Sequence, residues 1–344
     1  MSKFLSTVDL AKALNLSPST VSRALNDHYS ISEKTKKRVL EYAREVGFQK
    51  NLNASRLLRE QTFTIGIVMP EISSYFFSTV VQGLKQVLEP AGYDMLIMQT
   101  GEQLDNEVRA VRFLTSLRVD GLIYSPSIET KSYEHLEVVM KNQIPFVNLD
   151  RGLPGVHCYQ VLVNDELGAF QAVQHLIQSG CRRIAHVAGP QNTFNARNRF
   201  KGYQRALEAN GLPYDDALVV YTDYRMSHSM ETVHQLFKRK VLPDGIFAIN
   251  DEMAVGCISA ARKRGLRIPQ DLAVVGFDDE MYASYFYPAL STVKNPMADM
   301  GELAAKLCLE QIHEYDPERF EVKLLQPEVI IRDSSRRSST KFFA

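Results

Sequence analysis

The chain has 344 residues, of which 45% are hydrophobic and 23% charged, a composition typical of a soluble globular protein. Its 40 basic and 40 acidic side chains balance overall, but residues 1–60 carry 11 basic and six acidic ones, so the remainder is acidic. This asymmetry favours a nucleic-acid partner for the basic end. No run of about 18 apolar residues occurs, which argues against a membrane span and a membrane partner.

The first residues contain no unbroken apolar segment and no small-residue cleavage site, so we expect no secretion signal. The four cysteines lie far apart and form no Cys-x-x-Cys pair, which is typical of reduced thiols in a core. They are Cys158, Cys181, Cys257 and Cys308. A cytoplasmic protein is therefore the expectation.

Three short helices are predicted before residue 50. The first is capped by Thr7, and its apolar residues Val8, Leu10, Ala11 and Leu14 fall on one side. Ser17-Pro18 starts a second helix of about residues 18–26, since a serine cap followed by proline is typical of a helix start. A third helix runs from Ser32 to Gly47. Two short helices around a tight turn, braced by a third, form a helix-turn-helix.

The outer face of the second helix is polar, with residues three and four positions apart: Ser19, Ser22, Arg23 and Asn26. A helix fits the major groove of B-DNA, where short polar side chains reach base edges and an arginine can pair with guanine. Basic residues nearby are expected to neutralise phosphates. They are Lys34, Lys36, Lys37, Arg38 and Lys50. The alternative is a generic three-helix bundle whose polar face is merely solvated.

Several short segments resemble the DNA-binding headpiece of the lactose/galactose repressor family of bacterial transcriptional regulators. They are TVDLA (7–11), LSPSTVSRALN (16–26), SEKT (32–35), RVL (38–40) and GF (47–48). By this resemblance, the residues at Pro18 and Ser19 select the operator. Those at Ser22, Arg23 and Asn26 belong to a shared frame. The resemblance implies further DNA contacts at Thr7 and Thr20.

Residues 51–58, NLNASRLL, match the hinge segment of that family, with Asn51, Ala54 and Leu57 at the marked positions. In the family this segment folds only on DNA, and one leucine from each subunit of a dimer wedges into the minor groove. Such a wedge unstacks bases and bends the duplex. The resemblance therefore implies a homodimer on a palindromic double-stranded operator. The alternative is an exposed linker with a chance pair of leucines.

From residue 64 onward, short β-rich segments alternate with amphipathic helices. This alternation predicts parallel sheets joined by right-handed crossovers, with a ligand site at the carboxyl ends of the strands. The segment is too long for one such sheet, so we expect two lobes around a cleft. The predicted strands are Ile65–Met69, Met95–Met98, Gly121–Tyr124, Phe146–Leu149, Ile184–Ala188, Leu218–Tyr221, Ile246–Ile249 and Ala273–Gly276.

This pattern resembles the periplasmic sugar-binding fold that the repressor family carries as its core. The expected fold is an all-α helix-turn-helix headpiece (1–50), a hinge (51–61) and an α/β two-lobed periplasmic-binding-protein-like core of two doubly wound parallel sheets. The resemblance implies crossings near residues 162, 292 and 323. One lobe then holds 62–161 with 293–322, and the other 162–292 with 323–333. Residues 334–344, rich in serine and arginine, are expected to be a disordered tail.

Seven residues at the family's cleft positions, just after predicted strands, are implied to bind a ligand: Phe76, Asp150, Arg151, Arg197, Tyr224, Asn250 and Asp278. Phe76 and Tyr224 offer flat walls, and the fork of Arg197 suits vicinal hydroxyls or a carboxylate. With the amide of Asn250 and the carboxylate of Asp278, this set suits a polyol. Two alternatives stay open: Phe76 and Phe77 pack a helix start, and Asp150-Arg151 is a structural ion pair.

These predictions favour a sequence-specific transcriptional regulator, most simply a repressor, whose operator affinity is controlled by a small molecule in the cleft, a sugar or sugar derivative. A protein co-effector is the alternative form of control. A solute-binding protein would share the core but needs export and no headpiece. An enzyme would need a nucleophile elbow, a metal-ligand cluster or a phosphate loop, and the sequence has none. We expect no catalytic residue, no metal and no cofactor.

Overall fold

The structure is a computed structural model that describes residues 5–48, 61–224, 226–239 and 242–337. It divides into two units, Met1–Thr62 and Phe63–Ala344, which are described separately. No helix in these ranges is long and apolar enough to cross a membrane. The predicted hinge contacts Asn51, Ala54 and Leu57, together with Lys50, lie outside the described residues.

The first unit is a three-helix headpiece of α1 (Thr7–Leu14), α2 (Pro18–Leu25) and α3 (Glu33–Glu45). The Ser17 hydroxyl accepts a hydrogen bond from the amide of Thr20 at 3.1 Å, with Pro18 in the first helical position. The predicted start of α2 is therefore confirmed. All three helices contribute to a small core of Leu10, Ala11, Leu14, Val21, Ala24, Val39 and Ala43.

Two predictions for α1 were wrong. Its cap is Ser6, whose hydroxyl accepts from the amide of Asp9 while the Asp9 carboxylate accepts from the amide of Ser6. This reciprocal pair satisfies two amides at once, so the cap lies one residue earlier than predicted and Thr7 is the first residue of the helix. Val8 is 45% exposed and lies outside the headpiece core.

The second unit contains the strands β1 (Thr64–Met69), β2 (Asp94–Gln99), β3 (Gly121–Tyr124), β4 (Phe146–Leu149), β5 (Tyr159–Val163), β6 (Ile184–Ala188), β7 (Val219–Tyr221), β8 (Gly245–Ala248), β9 (Ala273–Val275), β10 (Thr292–Lys294), β11 (Val322–Leu325) and β12 (Glu328–Ile330). Its helices are α4 (Tyr75–Leu88), α5 (Leu104–Ser116), α6 (Glu137–Lys141), α7 (Asp165–Gln178), α8 (Phe194–Ala209), α9 (Met226–Phe237), α10 (Asp251–Lys263) and α11 (Met297–His313). All eight predicted strands are confirmed to within a residue or two.

Two parallel sheets organise this unit. The first has six strands in the order β11-β5-β4-β3-β1-β2, and the second has four in the order β7-β6-β8-β9. Each sheet is covered on both faces. In the first, α4 and α11 pack on one face and α5 and α6 on the other; in the second, α7 and α8 oppose α9 and α10. Two doubly wound sheets were predicted, and the structure confirms them.

The resemblance placed the crossings between the lobes near residues 162, 292 and 323. β5 and β11 pair side by side within the six-stranded sheet, with Val322 opposite Gln160 and Leu325 opposite Val163. The third crossing involves β10, which pairs antiparallel with β12. The exact limits of the lobes stay a prediction.

The expectation of a disordered segment starting at residue 334 was wrong. Ser334 and Ser335 are completely buried. The Ser334 hydroxyl donates to the carbonyl of Val274 at 2.7 Å, and the Ser335 hydroxyl donates to the hydroxyl of Ser291 at 2.6 Å. These bonds attach the segment to the middle of β9 and to the residue before β10. Composition suggested disorder because serine is polar, but a serine hydroxyl can be buried when it is hydrogen-bonded. Residues 338–344 lie outside the described residues.

Candidate functional site

The outer face of α2 is a polar surface on the headpiece. Five of the residues predicted to bind DNA are exposed there: Pro18, Ser19, Ser22, Arg23 and Asn26. The N-terminal turn is fixed by the Ser17 hydroxyl, which lies 2.8 Å from the hydroxyls of both Ser19 and Thr20. The side-chain amide of Asn26 donates to the carbonyl of Ser22 at 2.8 Å. The Arg23 side chain has no acidic partner among the described residues, so its guanidinium is available to a ligand.

The other headpiece residues predicted to contact DNA differ in how exposed they are. Thr7 and Thr20 are half-buried. Lys36 was expected to contact phosphate, but it is buried and forms ion pairs with Asp27 at 2.7 Å and Glu33 at 2.8 Å. This is a correction, because a lysine that neutralises two carboxylates of its own unit has no spare charge for DNA. Lys34, Lys37 and Arg38 remain exposed.

A cavity of about 730 Å³ lies at the carboxyl ends of the strands of both sheets. Its lining comes from the loops after β1, β2, β3 and β4 of the first sheet and from the segments after β6, β7, β8 and β9 of the second. It is the cleft that the alternation of strands and helices predicted. Six of the seven residues expected there line it: Phe76, Asp150, Arg151, Tyr224, Asn250 and Asp278.

The seventh expected residue, Arg197, does not line the cavity, and Arg199 does. Successive residues of a helix are 100° apart, so two positions along α8 change the face by about 200°. The Arg197 guanidinium donates to the carbonyls of Gln191 and Asn192, at 3.2 and 3.0 Å, in the loop before its own helix. The structure therefore corrects which arginine of the motif reaches the cleft.

Arg199 is almost completely buried, and its guanidinium connects several elements. Its Nε donates to Asp165 Oδ1 at 2.7 Å, and Nη1 donates to the carbonyl of Ile249 at 2.5 Å. Nη2 lies 3.5 Å from Asp278 Oδ1, and the guanidinium carbon lies 3.6 Å from the centre of the Phe277 ring. Burial raises the pKa of Asp165 to about 6, although Arg199 opposes this shift. Arg199 thus holds the buried carboxylates of Asp165 and Asp278 next to the cleft.

Asp150 and Arg151 follow β4 and are both buried. The expected ion pair between Asp150 and Arg151 is present, but the closer acid is Glu102, which accepts two hydrogen bonds of 2.8 Å from the Arg151 guanidinium. Arg151 Nε lies 3.7 Å from Asp150 Oδ2 and has no hydrogen-bond partner. A ligand hydroxyl between these two groups would accept from the guanidinium and donate to the carboxylate.

The polar groups of the facing lobe are partly engaged within the protein. Asn250 caps α10: its side-chain oxygen accepts from the amide of Met253 at 3.0 Å, which leaves its NH₂ group to donate. Asp278 Oδ1 accepts from the side chain of Asn295 at 2.6 Å. Burial raises the pKa of Asp278, with Arg199 opposing the shift. Asn250 is therefore a donor in the cleft, where the sequence suggested a mixed donor and acceptor.

Aromatic rings form the walls. Phe76 and Phe77 meet edge to face with centroids 5.0 Å apart, and both line the cavity while belonging to the core of the first lobe. The two interpretations of Phe76, wall and helix packing, therefore both describe it. Tyr224 packs on Gly189, where a Cβ atom would lie 2.7 Å from the Tyr224 hydroxyl oxygen.

Among the lining residues that were not predicted from the sequence are Glu102, Glu280, Tyr282 and Phe286. Glu102 follows a predicted strand, Met95–Met98, and this position was a usable signal. The other three lie on the irregular segment after β9, around the 3₁₀ turn Met281–Ser284. Such a segment has no helical or strand periodicity, so the sequence does not indicate which of its side chains face the cleft.

Comparison with known proteins agrees with both units. The family model for bacterial regulatory proteins of the lacI family matches residues 8–51, and the periplasmic binding protein-like domain matches residues 173–335. The chain is 33% identical over 337 residues to the probable HTH-type transcriptional repressor ExuR of Bacillus subtilis (strain 168), covering 96% of this chain and 98% of the relative. The chain belongs to the LacI family of bacterial regulatory proteins.

Other LacI-family members extend this finding. Catabolite control protein A of Priestia megaterium is 33% identical over 300 residues, which is 87% of this chain and 90% of that protein. The solved complex of the transcriptional regulator CelR with cellobiose covers 96% of this chain and 99% of its own, with 27% identity and a TM-score of 0.73. The expected helix-turn-helix headpiece and periplasmic-binding-protein-like core are confirmed. ExuR and CelR are both named as transcriptional regulators.

Replacing Asp150 by asparagine is expected to stabilise the core more at pH 8 than at pH 5, by about 2 kcal/mol. Burial, reinforced by Asp165 and Asp278, raises the pKa of Asp150 to about 7, against the partial opposition of Arg151. Because the folded pKa is above the unfolded one, the native state loses stability as pH rises from about 4 to about 7, and asparagine does not ionise. Asparagine also tolerates the φ of 67° at this position.

Urea denaturation of wild type and Asp150→Asn at both pH values measures this difference. Glu208→Gln, at an exposed position on α8, controls for the loss of one carboxylate. Equal changes in the free energy of unfolding at pH 5 and pH 8 would show that ionisation of Asp150 does not destabilise the folded protein.

Proposed function

We propose that this protein is a cytoplasmic transcriptional repressor that binds a palindromic operator as a homodimer and has no enzymatic activity. The observation that carries the proposal is the pairing, in one chain, of an exposed polar face on α2 with a cavity lined by two lobes. The first suits DNA and the second suits a small hydroxylated effector, a sugar or sugar derivative.

The headpiece supplies the DNA contacts. In a helix-turn-helix, the second helix lies in the major groove and a dimer reads two half-sites related by a twofold axis. Pro18 and Ser19, at the start of α2, are proposed to select the operator, and Ser22, Arg23 and Asn26 to contact DNA within each half-site. Pro18 has no donor and offers a base only apolar contact. Leu57 is proposed as the minor-groove wedge.

The cleft supplies the control. An effector that contacts Asp150 and Arg151 of one lobe together with Asn250 and Asp278 of the other favours one relative orientation of the lobes. A ligand shifts such an equilibrium only by its different affinity for the two orientations. A coupling of about 1–3 kcal/mol changes operator affinity by roughly 5–150-fold. The solved cellobiose complex of CelR supports a sugar-like effector for this cleft.

Selection of duplexes from a random pool by the full-length protein tests the proposal. We expect enrichment of a twofold-symmetric sequence, bound with a steep dependence on salt because phosphate contacts release counterions. A duplex of the same composition with one half-site scrambled is the control and is expected to bind far more weakly. Failure to enrich any symmetric duplex would overturn the proposal. Operator binding that no small molecule alters would instead favour control by a protein partner.

A further inference from the structure

The cleft lining is strongly acidic. Seven carboxylates and two guanidiniums line the cavity, an excess of five negative groups. The acids come from both lobes: Glu71, Glu102 and Asp150 follow strands of the first sheet, while Asp223, Glu252, Asp278 and Glu280 follow strands of the second. A ligand that enters the cleft from either side therefore meets carboxylates.

Neither guanidinium has charge to spare for an anionic ligand. Arg151 makes two hydrogen bonds of 2.8 Å to Glu102. Arg199 pairs with Asp165 at 2.7 Å and lies 3.5 Å from Asp278. What remains of Arg151 is its buried Nε, which has no hydrogen-bond partner and needs an acceptor. A neutral hydroxyl oxygen meets that need without placing a second negative charge beside Asp150.

Asp150 and Glu280 have too little positive charge nearby to offset the effect of burial on their carboxylates. Burial raises the pKa of Asp150 to about 7, and its nearest cationic atom, Arg151 Nε, is 3.7 Å away. Burial together with Asp278 and Glu252 raises the pKa of Glu280 to about 7, opposed only by a hydrogen bond from Tyr282. A cation between the lobes would favour the ionised form of both groups.

Aromatic faces complete the lining. Phe76, Tyr224, Tyr282 and Phe286 all line the cavity. A ring face attracts a cation within about 6 Å of its centroid, and an ammonium group carries three donors for neighbouring carboxylates. The volume of about 730 Å³ is within the range of pockets that enclose small ligands. One cavity therefore contains aromatic rings, more carboxylates than guanidiniums, and an arginine N–H that lacks an acceptor.

We propose that the effector of this cleft is a hydroxylated molecule that carries a protonated amine, an amino sugar or amino polyol. Its ammonium group lies among the carboxylates, with Glu280 a principal contact, and its hydroxyls bridge Arg151 Nε and Asp150. Uronates and sugar phosphates are rejected, because they add negative charge to a lining that has no free cation to meet it. This inference rests on the proposed function and specifies the chemical class of the effector.

Calorimetric titration of the full-length protein at pH 7 tests the proposal with three matched trios. The probes are glucose, glucosamine and glucuronate; galactose, galactosamine and galacturonate; and mannose, mannosamine and mannuronate. In at least one trio we expect the amine to bind at least tenfold more tightly than the neutral sugar, with no measurable binding of the uronate. The affinity of the amine is expected to fall as salt rises, and that of the neutral sugar to stay constant.

Glu280→Gln separates an ionic contact from a structural role. We expect it to weaken binding of the amine at least tenfold and to leave binding of the neutral sugar nearly unchanged, whereas a disrupted cleft would weaken both. Glu208→Gln, outside the cavity on the exposed side of α8, is the matched control and is expected to change neither.

The outcomes distinguish this inference from the function on which it rests. The amine requirement is wrong if a neutral sugar or a uronate binds as tightly as its amine, or if no amine binds while a symmetric operator is still bound. The proposed function as a transcriptional regulator is unaffected by either result. If the protein binds no symmetric operator, the proposed function fails, whatever the cleft binds.

Discussion

Arg199→Met is expected to lower the free energy of unfolding of the core by about 3–5 kcal/mol, the range found when one partner of a buried ion pair is removed. The variant leaves Asp165 and Asp278 buried without their guanidinium, and it removes the donor to the carbonyl of Ile249. Methionine keeps much of the side-chain volume over Phe277, so the loss reflects charge more than packing. Guanidinium denaturation followed by circular dichroism measures it.

Two further variants show whether the loss has this cause. Arg197→Met removes the same charge two residues away, where only two loop carbonyls lose a donor, and is expected to cost about 1 kcal/mol. Adding Asp165→Asn to Arg199→Met is expected to recover part of the loss, because the orphaned carboxylate is then neutral. If Arg199→Met and Arg197→Met are equally stable, the buried network does not hold the core together.

The order of elements was predictable from the sequence because a strand that is buried on both faces is a short apolar segment. Such a segment can be recognised without knowing which strand it pairs with. Three-residue strands are different. β10 and β12 pair with each other across more than 30 residues, and their residues have no local pattern that specifies the pairing. β11 exposes Val322 and Leu324 at the edge of its sheet, so its apolar residues do not mark a buried face.

The candidate site was predictable to the level of loops and not of side-chain directions. The motif from Asn195 to Tyr203 contains two arginines, and its spacing cannot tell which one faces the cleft, because that depends on how α8 is rotated against α7. Lys36 shows the same limit in the headpiece. Its basic character suggested phosphate, yet its position beside Asp27 and Glu33 makes it structural.

Arg23→Ala is expected to lower operator affinity by roughly 5–150-fold for each half-site, which corresponds to the 1–3 kcal/mol of a good side-chain pair with a base. Arg23 is exposed on α2 beside Ser19 and Ser22 and has no acidic partner among the described residues of the headpiece. Removing its guanidinium therefore leaves the headpiece core of Val21 and Ala24 intact. Titration of a fluorescent operator with the full-length variant, at several salt concentrations, measures the loss.

Arg44→Ala is the matched control, since it removes one exposed positive charge from α3 of the same headpiece and leaves α2 unchanged. A phosphate contact weakens binding to all sequences alike and reduces the salt slope by about one, whereas a base contact mainly reduces discrimination between operator and random duplex. Arg23→Ala should therefore lose discrimination, and Arg44→Ala should keep it. If both variants lose affinity equally on operator and random DNA, Arg23 acts only through its charge, and the recognition of bases must come from Pro18, Ser19 and Ser22.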